Sequence, residues 1–397
     1  KVLLLENVHE NAISKLRTEG YQVITHNAGM SEDDLCKAIK DISILGIRSK
    51  TLVTKKVLSH AKRLLAIGAF CIGTNQIDIK SAQNKGIAVF NAPYSNTRSV
   101  VELVLAEIII LMRNLVDKIP KMHQGEWNKS AQNSFEIRGK TLGIIGYGSI
   151  GSQLSIVAES IGMKVIYFDI EEKLVLGNVS PCESLEELMV QSDVISVHID
   201  GRPENNDLIG ASQFDMMKPG VIFLNLSRGN VVNYNALKSA IQSGKVAGAG
   251  VDVFPKEPMS NEDEFISELR GLPNTILTPH IGGSTLEAQK NIASFVPSRI
   301  IDYINTGSTS NTVGFPDIAL PILQEAHRFI HIHVNAAGVL AKINNILANH
   351  KLNIVGQYLK TNENIGYVIT DIDKKYDKEV IKELKGIDET IRFRVLY

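Results

Sequence analysis

The stretch Gly143-Ile144-Ile145-Gly146-Tyr147-Gly148-Ser149-Ile150-Gly151 decides the fold of this chain. It completes an apolar run over 141–145 and opens an amphipathic pattern over 150–161, which a second apolar run over 164–168 and then Asp169 follow. This order predicts a strand, a glycine turn, a helix, a second strand and a carboxylate. Together these features form the pattern of a dinucleotide-binding unit.

The three glycines and the acid each have a stereochemical reason for their positions. Gly146 permits the sharp turn from strand to helix, Gly148 leaves the backbone open to a pyrophosphate, and Gly151 lets the helix pack closely on the strand. The helix N-terminus then offers free N–H groups to the phosphates. Asp169 can accept hydrogen bonds from both ribose hydroxyls but would repel a 2′-phosphate, and no Arg follows it immediately. The sequence therefore predicts NAD rather than NADP as the cofactor.

The composition is that of a soluble globular protein with more than one domain. The chain has 397 residues, of which 44% are hydrophobic and 21% charged, so it is too long for one ordinary core and too apolar to be disordered. Lys and Arg number 42 against 43 Asp and Glu, without long blocks of either sign, which argues against nucleic acid or an anionic membrane as partner. We expect the partner to be a small molecule or a second copy of the chain.

The sequence shows no pattern typical of a secretory signal, a membrane span or a metal site. Its most apolar segment, 100–112, is interrupted by Glu102 and Glu107 and is too short to cross a bilayer. Three cysteines lie far apart, with neither disulfide-framework nor metal-ligand spacing: Cys36, Cys71 and Cys182. We therefore expect a protein of a reducing compartment, with the cytoplasm as the default location.

Short apolar runs alternate with helical patterns along most of the chain, which predicts parallel sheets covered by helices. Strands are expected in a first sheet at 2–5, 23–25, 42–47, 64–67 and 87–90. Further strands are expected beside the dinucleotide unit at 194–198, 221–225, 246–251 and 275–277. Long helices over 98–112 and 285–304 bracket this second sheet. We therefore predict that the chain leaves a first domain, builds a second and returns, with a ligand cleft between them.

The segment 306–321 has linker composition, and the residues beyond it follow the order strand, helix, strand, strand, helix, strand. This βαββαβ order suits a small ferredoxin-like domain with one sheet face open to a partner. The predicted fold class is α/β, with two doubly wound parallel-sheet domains, flavodoxin-like for the substrate and Rossmann for the nucleotide, and this third domain. The expected boundaries are 1–95 with 284–318 for the substrate domain, 96–283 for the nucleotide domain and 326–397 for the last.

Three polar side chains near predicted strand ends of the nucleotide sheet could carry out chemistry: Arg228, Glu257 and His280. Strand ends in a doubly wound sheet face the ligand cleft. Arg228 offers a rigid fork of donors for a carboxylate. His280 can accept a hydroxyl proton, and Glu257 could orient its ring and raise its pKa. The structural alternatives are a surface salt bridge, a hydrogen-bonded core histidine and a solvated loop acid.

Four blocks of the nucleotide domain resemble the signature blocks of the D-isomer-specific 2-hydroxyacid dehydrogenases. They are 146–151, 225–229, 252–258 and 278–284. Within that family, three further blocks resemble the branch that acts on 3-phospho-D-glycerate and carries a small C-terminal ACT domain: 47–50, 71–78 and 91–100. The resemblance runs nearly end to end.

The resemblance implies oxidation of 3-phospho-D-glycerate to 3-phosphohydroxypyruvate with NAD, the entry step of L-serine synthesis. It implies that Arg228, Glu257 and His280 are the catalytic residues, with His280 as base and Arg228 on the carboxylate. It implies a cofactor site with Asp169 on the ribose and Asp252 near the nicotinamide carboxamide, formed by Gly146, Gly148, Ser149, Ile150, Gly151, Asp169, Ser227, Asp252, Gly282 and Gly283.

A substrate site is implied as well, formed by Arg48, Ser49, Lys50, Gly73, Trp127 and Lys129. Arg48, Lys50 and Lys129 would contact the phosphate. The alternatives are solvated surface charges for the lysines and a dimer-interface anchor for Trp127.

The last domain resembles the family's regulatory domain, which binds L-serine at a domain interface, at three positions: His333, Asn335 and Asn353. The pair Ala336-Ala337 departs from the family, which usually has a proline before the glycine, and a looser loop would weaken serine binding. The resemblance implies feedback inhibition by L-serine. Two expected self-association surfaces, one over 96–127 and one on the C-terminal sheet, suggest a homotetramer.

Two other functions stay open at the level of sequence. One is an NADH-dependent reductase of another 2-oxo acid, such as 2-oxoglutarate, hydroxypyruvate or glyoxylate. The cations Arg48, Lys50 and Lys129 argue against it, because they suit a phosphorylated or second acidic group. The other is a non-catalytic NAD-sensing scaffold, and the complete catalytic trio argues against that, because a sensor needs no proton shuttle.

Overall fold

The computed structural model describes residues 1–258, 262–321, 326–373 and 375–396. It divides into two compact units, a first unit of residues 1–95 with 289–397 and a second unit of residues 96–288. Among the described residues, no helix is both long and apolar enough to cross a bilayer.

The first unit begins with a parallel sheet covered by helices. Its strands are β1 (Val2–Leu4), β2 (Val23–Thr25), β3 (Ile44–Ile47), β4 (Ala66–Ala69) and β5 (Ala88–Phe90). Its helices are α1 (Glu10–Thr18), α2 (Glu32–Ala38), α3 (Lys55–His60) and α4 (Ile79–Gln83). Side chains of Ser31, Thr54 and Asp78 cap three of these helices. The strand order β2-β1-β3-β4-β5 is the flavodoxin-like order that the sequence predicts.

The second unit is a Rossmann sheet of seven strands. Its helices are α5 (Thr97–Met112), α6 (Leu115–His123), α7 (Ser149–Ser160), α8 (Leu185–Gln191), α9 (Ala211–Met216) and α10 (Tyr234–Gln242). Its strands are β6 (Thr141–Ile145), β7 (Lys164–Phe168), β8 (Ser180–Pro181), β9 (Val194–Val197), β10 (Val221–Asn225), β11 (Val246–Val251) and β12 (Thr275–Leu277). The order β8-β7-β6-β9-β10-β11-β12 reverses direction at β6, so the glycine turn after β6 lies at the topological switch point where such sheets bind ligands.

The chain returns to the first unit through α11 (Leu286–Thr306), and β13 (Thr312–Val313) then adds an antiparallel edge strand beside β5. A four-stranded antiparallel sheet follows. Its elements are β14 (His327–Val334), α12 (Val339–Asn349), β15 (Ile354–Thr361), β16 (Ile365–Ile372), α13 (Lys378–Lys385) and β17 (Thr390–Val395). The strand order β15-β16-β14-β17 is the ferredoxin-like arrangement that the sequence predicts.

The expectation that one face of this last sheet stays open to a partner is wrong. The face carrying Ile330, Ile332 and Tyr367 belongs to the same buried cluster as Val296 of α11 and Phe315 of the segment after it. The opposite face packs against α12 and α13. The sequence pattern shows only that both faces are apolar, and the returning helix covers the second one.

The buried side chain of Arg328 forms an ion pair within this sheet and also connects the sheet to the end of α11 and to Pro321. Arg328 of β14 donates to both carboxylate oxygens of Asp371 on β16, each at 2.7 Å. The same guanidinium donates to the carbonyl groups of Thr306 at 3.0 Å and Pro321 at 2.7 Å. One guanidinium therefore connects β14 to β16, to the end of α11 and to Pro321.

Candidate active site

The carboxyl ends of β10, β11 and β12 lie side by side, because these strands are parallel neighbours in the second sheet. Arg228 follows the end of β10, Asp252 directly follows β11, and His280 follows the end of β12. Glu257 lies on the loop that Asp252 begins. The fold therefore brings the three candidate catalytic side chains to one edge of one sheet.

His280 and Glu257 form a hydrogen-bonded pair. Nδ1 of His280 lies 2.9 and 3.1 Å from the two carboxylate oxygens of Glu257. Because a carboxylate only accepts, Nδ1 carries the proton and the lone pair of the neutral ring lies on Nε2. The bond to Glu257 raises the pKa of His280 and outweighs the effect of burial, which lowers it. His280 is therefore a stronger base than an ordinary histidine.

The carboxylate of Glu257 is itself held in place. Its Oε1 accepts a hydrogen bond from the backbone N–H of Phe254 at 3.1 Å. Partial burial raises the pKa of Glu257, but the bonds from His280 and Phe254 prevail and the net pKa is lowered. The group therefore stays ionised and keeps its orienting charge beside the histidine.

Arg228 keeps most of its guanidinium available. Nη1 donates to the carbonyl of Ser227 at 2.6 Å, and Asn225 donates to the carbonyl of Arg228 at 3.0 Å. Within the described ranges, no carboxylate forms an ion pair with Arg228. Its charge nevertheless lowers the pKa of both Glu257 and His280, so the guanidinium lies close to the pair. This arrangement suits a cation that waits for an anionic ligand.

Asp252 has a structural task that sequence reasoning missed. Its carboxylate is buried and accepts bonds from the hydroxyl of Thr278 at 2.6 Å, from N–H of Ile281 at 2.8 Å and from N–H of Gly282 at 2.7 Å. These bonds lie on both sides of His280, whose φ of 54° is in the left-handed region that side chains rarely adopt. Asp252 therefore holds the loop that presents His280.

Glu107 is a second acid that sequence reasoning passed over as an interruption of an apolar helix. It is 1% exposed on α5, and neither carboxyl oxygen has a hydrogen-bond partner among the described residues. The carboxyl of Glu107 lies against Gly250 of β11, which precedes Asp252 by two residues in the sequence. Burial first, and the charge of Asp252 second, raise the pKa of Glu107 to about 8. The only available signal was an acid at a core position of an otherwise apolar helix.

The glycine turn after β6 has the shape that a dinucleotide needs. Gly146 has a φ of 94°, and a Cβ there would lie 2.5 Å from the carbonyl oxygen of His198. A Cβ on Gly151 would collide with the carbonyl of Gly146. Gly148, by contrast, has no heavy atom within 4 Å of the place where its Cβ would be. The open space therefore lies at the N-terminus of α7, where backbone N–H groups can bind phosphate.

Asp169 follows β7 and is tied to this turn. Its carboxylate accepts bonds from the N–H groups of Tyr147 at 2.8 Å and Glu171 at 3.0 Å. Nζ of Lys173 lies 3.9 Å away, although the principal partner of that lysine is Glu171. The sequence argument for NAD considered only an adjacent arginine, so Lys173 is a cation that it missed.

The candidate substrate residues of the first unit lie on the loops after β3 and β4, which are neighbouring strands: Arg48, Ser49, Lys50 and Gly73. Nε2 of Gln76 joins the two loops through the carbonyls of Arg48, at 2.5 Å, and Gly73, at 3.3 Å. The buried carboxylate of Glu6 accepts from the N–H groups of Lys50 at 3.0 Å and Thr51 at 2.8 Å. Glu6 is a supporting residue that no sequence pattern indicated.

The other predicted site residues lie on other elements of the chain. Trp127, which is 78% exposed, and Lys129 lie on the segment after α6 in the second unit. In the last sheet, His333 is buried and its Nδ1 bonds the carbonyl of Val334 at 2.7 Å. Asn335 donates to the carbonyl of Asn362 at 2.8 Å. Asn353 donates to the carboxylate of Asp373 at 3.2 Å.

Two family descriptions match the chain. Residues 105–282 match the D-isomer specific 2-hydroxyacid dehydrogenase NAD binding domain. Residues 329–392 match the AHAS small subunit-like ACT domain. The first match contains the glycine turn and all three candidate catalytic residues, and the second covers most of the last sheet.

Solved structures of dehydrogenases share the fold of most of the chain. A D-lactate dehydrogenase of Aquifex aeolicus, in complex with NAD and lactic acid, superimposes with a TM-score of 0.70 at 26% identity, over 80% of this chain and 100% of its own. A D-2-hydroxyisocaproate dehydrogenase superimposes with a TM-score of 0.71 at 26% identity, over 79% of this chain and 100% of its own.

Curated relatives match over the whole length. The D-3-phosphoglycerate dehydrogenase of Haemophilus influenzae is 49% identical, with 100% of this chain and 97% of that protein covered. That of Escherichia coli is 48% identical, with the same coverage. D-3-phosphoglycerate dehydrogenase 1 of Saccharomyces cerevisiae is 46% identical, with 100% of this chain and 87% of the yeast protein covered. The chain therefore belongs to the D-3-phosphoglycerate dehydrogenases, a branch of the NAD-dependent D-isomer-specific 2-hydroxyacid dehydrogenase family.

Proposed function

We propose that Arg228, Glu257 and His280 catalyse the NAD-dependent oxidation of 3-phospho-D-glycerate to 3-phosphohydroxypyruvate. The observation that supports these roles is the hydrogen bond between His280 and Glu257 at a sheet edge that also carries Arg228. The open space at Gly148, the N-terminus of α7 and Asp169 fit a dinucleotide, which supplies the hydride acceptor when bound.

His280 is the base of the reaction. Nε2 takes the proton of the C2 hydroxyl while the C2 hydrogen leaves as hydride, so the C–O bond becomes a carbonyl. Glu257 stabilises the imidazolium that forms, because its carboxylate already holds the Nδ1 proton. In the reverse direction the protonated ring returns the same proton to the carbonyl oxygen.

Arg228 binds the substrate carboxylate in this proposal. A guanidinium holds a carboxylate at two points, which fixes the hydroxyl toward the histidine and stabilises charge that develops on its oxygen. Arg48 and Lys50 of the first unit, with Lys129 of the second, serve as phosphate ligands. For Lys50 the support is local, because Glu6 fixes the backbone that carries it.

A substrate panel followed at 340 nm tests the function. We expect reduction of NAD with 3-phospho-D-glycerate and much less with D-glycerate, which lacks the phosphate. Faster turnover of NADH with 2-oxoglutarate, hydroxypyruvate or glyoxylate than with 3-phosphohydroxypyruvate would favour the alternative reductase. Binding of NAD without an absorbance change for any of these acids would favour a sensor.

L-Serine is the proposed effector, and His333, Asn335 and Asn353 are its proposed ligands. In the last sheet, His327 of β14 and Ile354 of β15 both pair with Ile372 of β16. Val334, at the other end of β14, pairs with Ile365. At about 3.3 Å per residue, Asn335 and Asn353 of one chain therefore lie on the order of 20 Å apart. One serine molecule can reach both only when two copies associate, which supports a homo-oligomer, with a tetramer as our proposal.

Titration with L-serine tests this part separately. We expect binding heat for the wild type, weaker binding for Asn335→Ala, and inhibition that depends on oligomer concentration. Glycine is the control titrant, because it is an amino-acid zwitterion without the side chain of serine. Absence of both heat and inhibition at millimolar serine would remove the effector and leave the catalytic proposal intact. A cytoplasmic location stays a prediction.

A further inference from the structure

Strand β17 carries two arginines that face the body of the first unit. Arg392 and Arg394 are two positions apart, so their side chains leave the same face of the strand. Nη1 of Arg392 donates to the carbonyl of Leu64, before β4, at 2.6 Å. Nη2 of Arg394 donates to the carbonyl of Ile304, in α11, at 3.0 Å. Both guanidinium groups therefore lie where the last sheet meets the rest of this unit.

Among the residues that the structure describes, no acid compensates these two charges. Within the described part of the chain neither arginine forms an ion pair, and the hydrogen-bond acceptors they use are neutral carbonyls. Burial is the main cause of the lowered pKa of Arg392, and the charge of Arg394 is a smaller cause in the same direction. Asp302, an acid on the neighbouring helix, is already paired with Arg299 at 2.9 Å.

Two polar atoms beside the arginines are buried without a partner in the described residues. One is Nη1 of Arg394, and the other is the hydroxyl of Tyr303, a residue that is 0% exposed. The guanidinium of Arg394 lies over the ring of Tyr303, 4.8 Å from its centroid. A buried donor without an acceptor costs free energy, so the arrangement favours a ligand that accepts from both.

A cavity opens at this place. Its volume is about 650 Å³, and its lining consists of Leu65, Ile304, Asn305, Arg394, Val395 and Leu396. Lys62 and Arg63 add positive charge, because they directly precede Leu64, whose carbonyl accepts the bond from Arg392. Neither forms an ion pair among the described residues. The cavity is larger than a phosphate group, and of the two arginines Arg394 lines it directly.

We propose that Arg392 and Arg394 form a binding site for a phosphate-type dianion, supplied as free phosphate or as a phosphomonoester, at the junction of β17 with α11 and β4. Guanidinium forks match the oxygens of such a group, and an anion supplies the acceptor that Nη1 of Arg394 lacks. Because both arginines also bond the carbonyls of neighbouring elements, a bound anion fastens the last sheet to the substrate-binding sheet of the first unit. This site belongs to the first unit, whereas the proposed catalytic trio belongs to the second.

Phosphate titration of the full-length chain tests the site. Isothermal titration and thermal melts are run with inorganic phosphate and, in a second arm, with glycerol 2-phosphate, at constant ionic strength in chloride. All variants carry Arg48→Gln, so that the proposed substrate site contributes little. We expect Arg394→Gln to weaken phosphate binding about tenfold or more, because a charge-assisted bond is lost. The matched control is Arg17→Gln, an exposed arginine of the same unit.

Further variants keep the test decisive if Arg394→Gln destabilises the sheet. Arg394→Lys keeps the charge without the fork, and we expect intermediate phosphate affinity with a melting temperature near that of the wild type. Arg392→Gln should weaken binding as well. Equal phosphate affinity in Arg394→Lys, Arg392→Gln and Arg17→Gln would overturn the proposal. So would loss of all phosphate binding in Arg48→Gln alone. Preference for one of the two titrants identifies the source of the anion.

Discussion

His280 and His331 each bond a polar side chain through one ring nitrogen, but their chemistry is opposite. The side chain of His280 is 50% exposed on a loop of the second unit, and its bond to Glu257 raises its pKa. His331 is 2% exposed in the last sheet, and burial lowers its pKa to about 4. Its Nε2 lies 2.7 Å from the hydroxyl of Thr390, which itself donates to Leu384. Nε2 of His331 must therefore carry a proton, and the lowered pKa keeps the ring neutral, which suits a structural role.

The comparison shows that residue type does not make a proton shuttle. A shuttle needs an acid partner that stabilises the charged ring and a second ring nitrogen that is free for the substrate. His280 has Glu257 as its acid partner, and its Nε2 has no hydrogen bond among the described residues. A buried ring whose partner is a hydroxyl meets neither condition. The predictions below test the two environments, beginning with the largest expected effect.

Replacing His280 with Asn should lower kcat about 100- to 10,000-fold, because the general base is lost. NAD binding, measured by quenching of Trp127 fluorescence or by calorimetry, should be retained. The control is His331→Asn, which should lower the melting temperature through lost packing while kcat stays within about twofold. If His280→Asn keeps its turnover, the catalytic side of the comparison fails.

Replacing Glu257 with Gln should lower kcat/KM about 10- to 100-fold and move its pH profile. Oxidation requires the neutral ring, so activity rises with pH through the pKa of His280, which lies above the ordinary value in the wild type. Removing the carboxylate lowers that pKa, so the acid limb should move to lower pH. An unchanged limb would mean that His280 is not the group being titrated.

Replacing Asp252 with Asn should lower kcat/KM about tenfold, since an amide cannot accept all three loop bonds and loses a charge-assisted one. Thr278→Val, which removes only the hydroxyl bond, should have a smaller effect of the same kind. The size of the pKa change separates loop positioning from ring chemistry, because the pKa read from the acid limb should move less than in Glu257→Gln.

Replacing Glu107 with Gln should change stability rather than turnover. The pKa of Glu107 is raised to about 8 in the fold and returns to about 4.3 in the unfolded chain. The folded state therefore holds an extra proton between these values, so wild-type stability falls as pH rises through this window. The melting temperature of Glu107→Gln relative to wild type should increase from pH 5 to pH 8 and level off above. Glu102→Gln, an exposed neighbour on the same helix, is the control and should show no such trend.

Most of the fold was predictable because its signals are local. Strands β6, β7, β10, β11 and β12 begin and end where the apolar runs predict. Strand boundaries in the first sheet were predicted less accurately. The strand expected over 64–67 is β4 at Ala66–Ala69. The whole run is apolar, and an apolar run does not reveal which of its residues pair. Helix α6 was not predicted, since it carries Pro120 and has no buried residue.

The candidate site also contains residues that the sequence predicts and contacts that it does not. Arg228, Glu257 and His280 could be proposed from the sequence because each follows a recognisable strand and has a side chain suited to carboxylate binding or proton transfer. The anchoring roles of Asp252 and Glu6 could not, although the family resemblance implies a place for Asp252 in the cofactor site. Asp252 holds residues that lie 26 to 30 positions further along the chain, and Glu6 holds a loop 44 positions away. Only a folded backbone brings such pairs together.

The sequence by itself determined the dinucleotide unit, the two doubly wound sheets, the ferredoxin-like order of the last strands and the family, because these depend on periodicity, glycine stereochemistry and contiguous motifs. The tertiary structure alone decided which acids are ionised and what each one holds, and it covered a sheet face expected to be open. The physical reason is that pKa and burial depend on neighbours distant in the chain, and those distances are set only when the helices and strands pack.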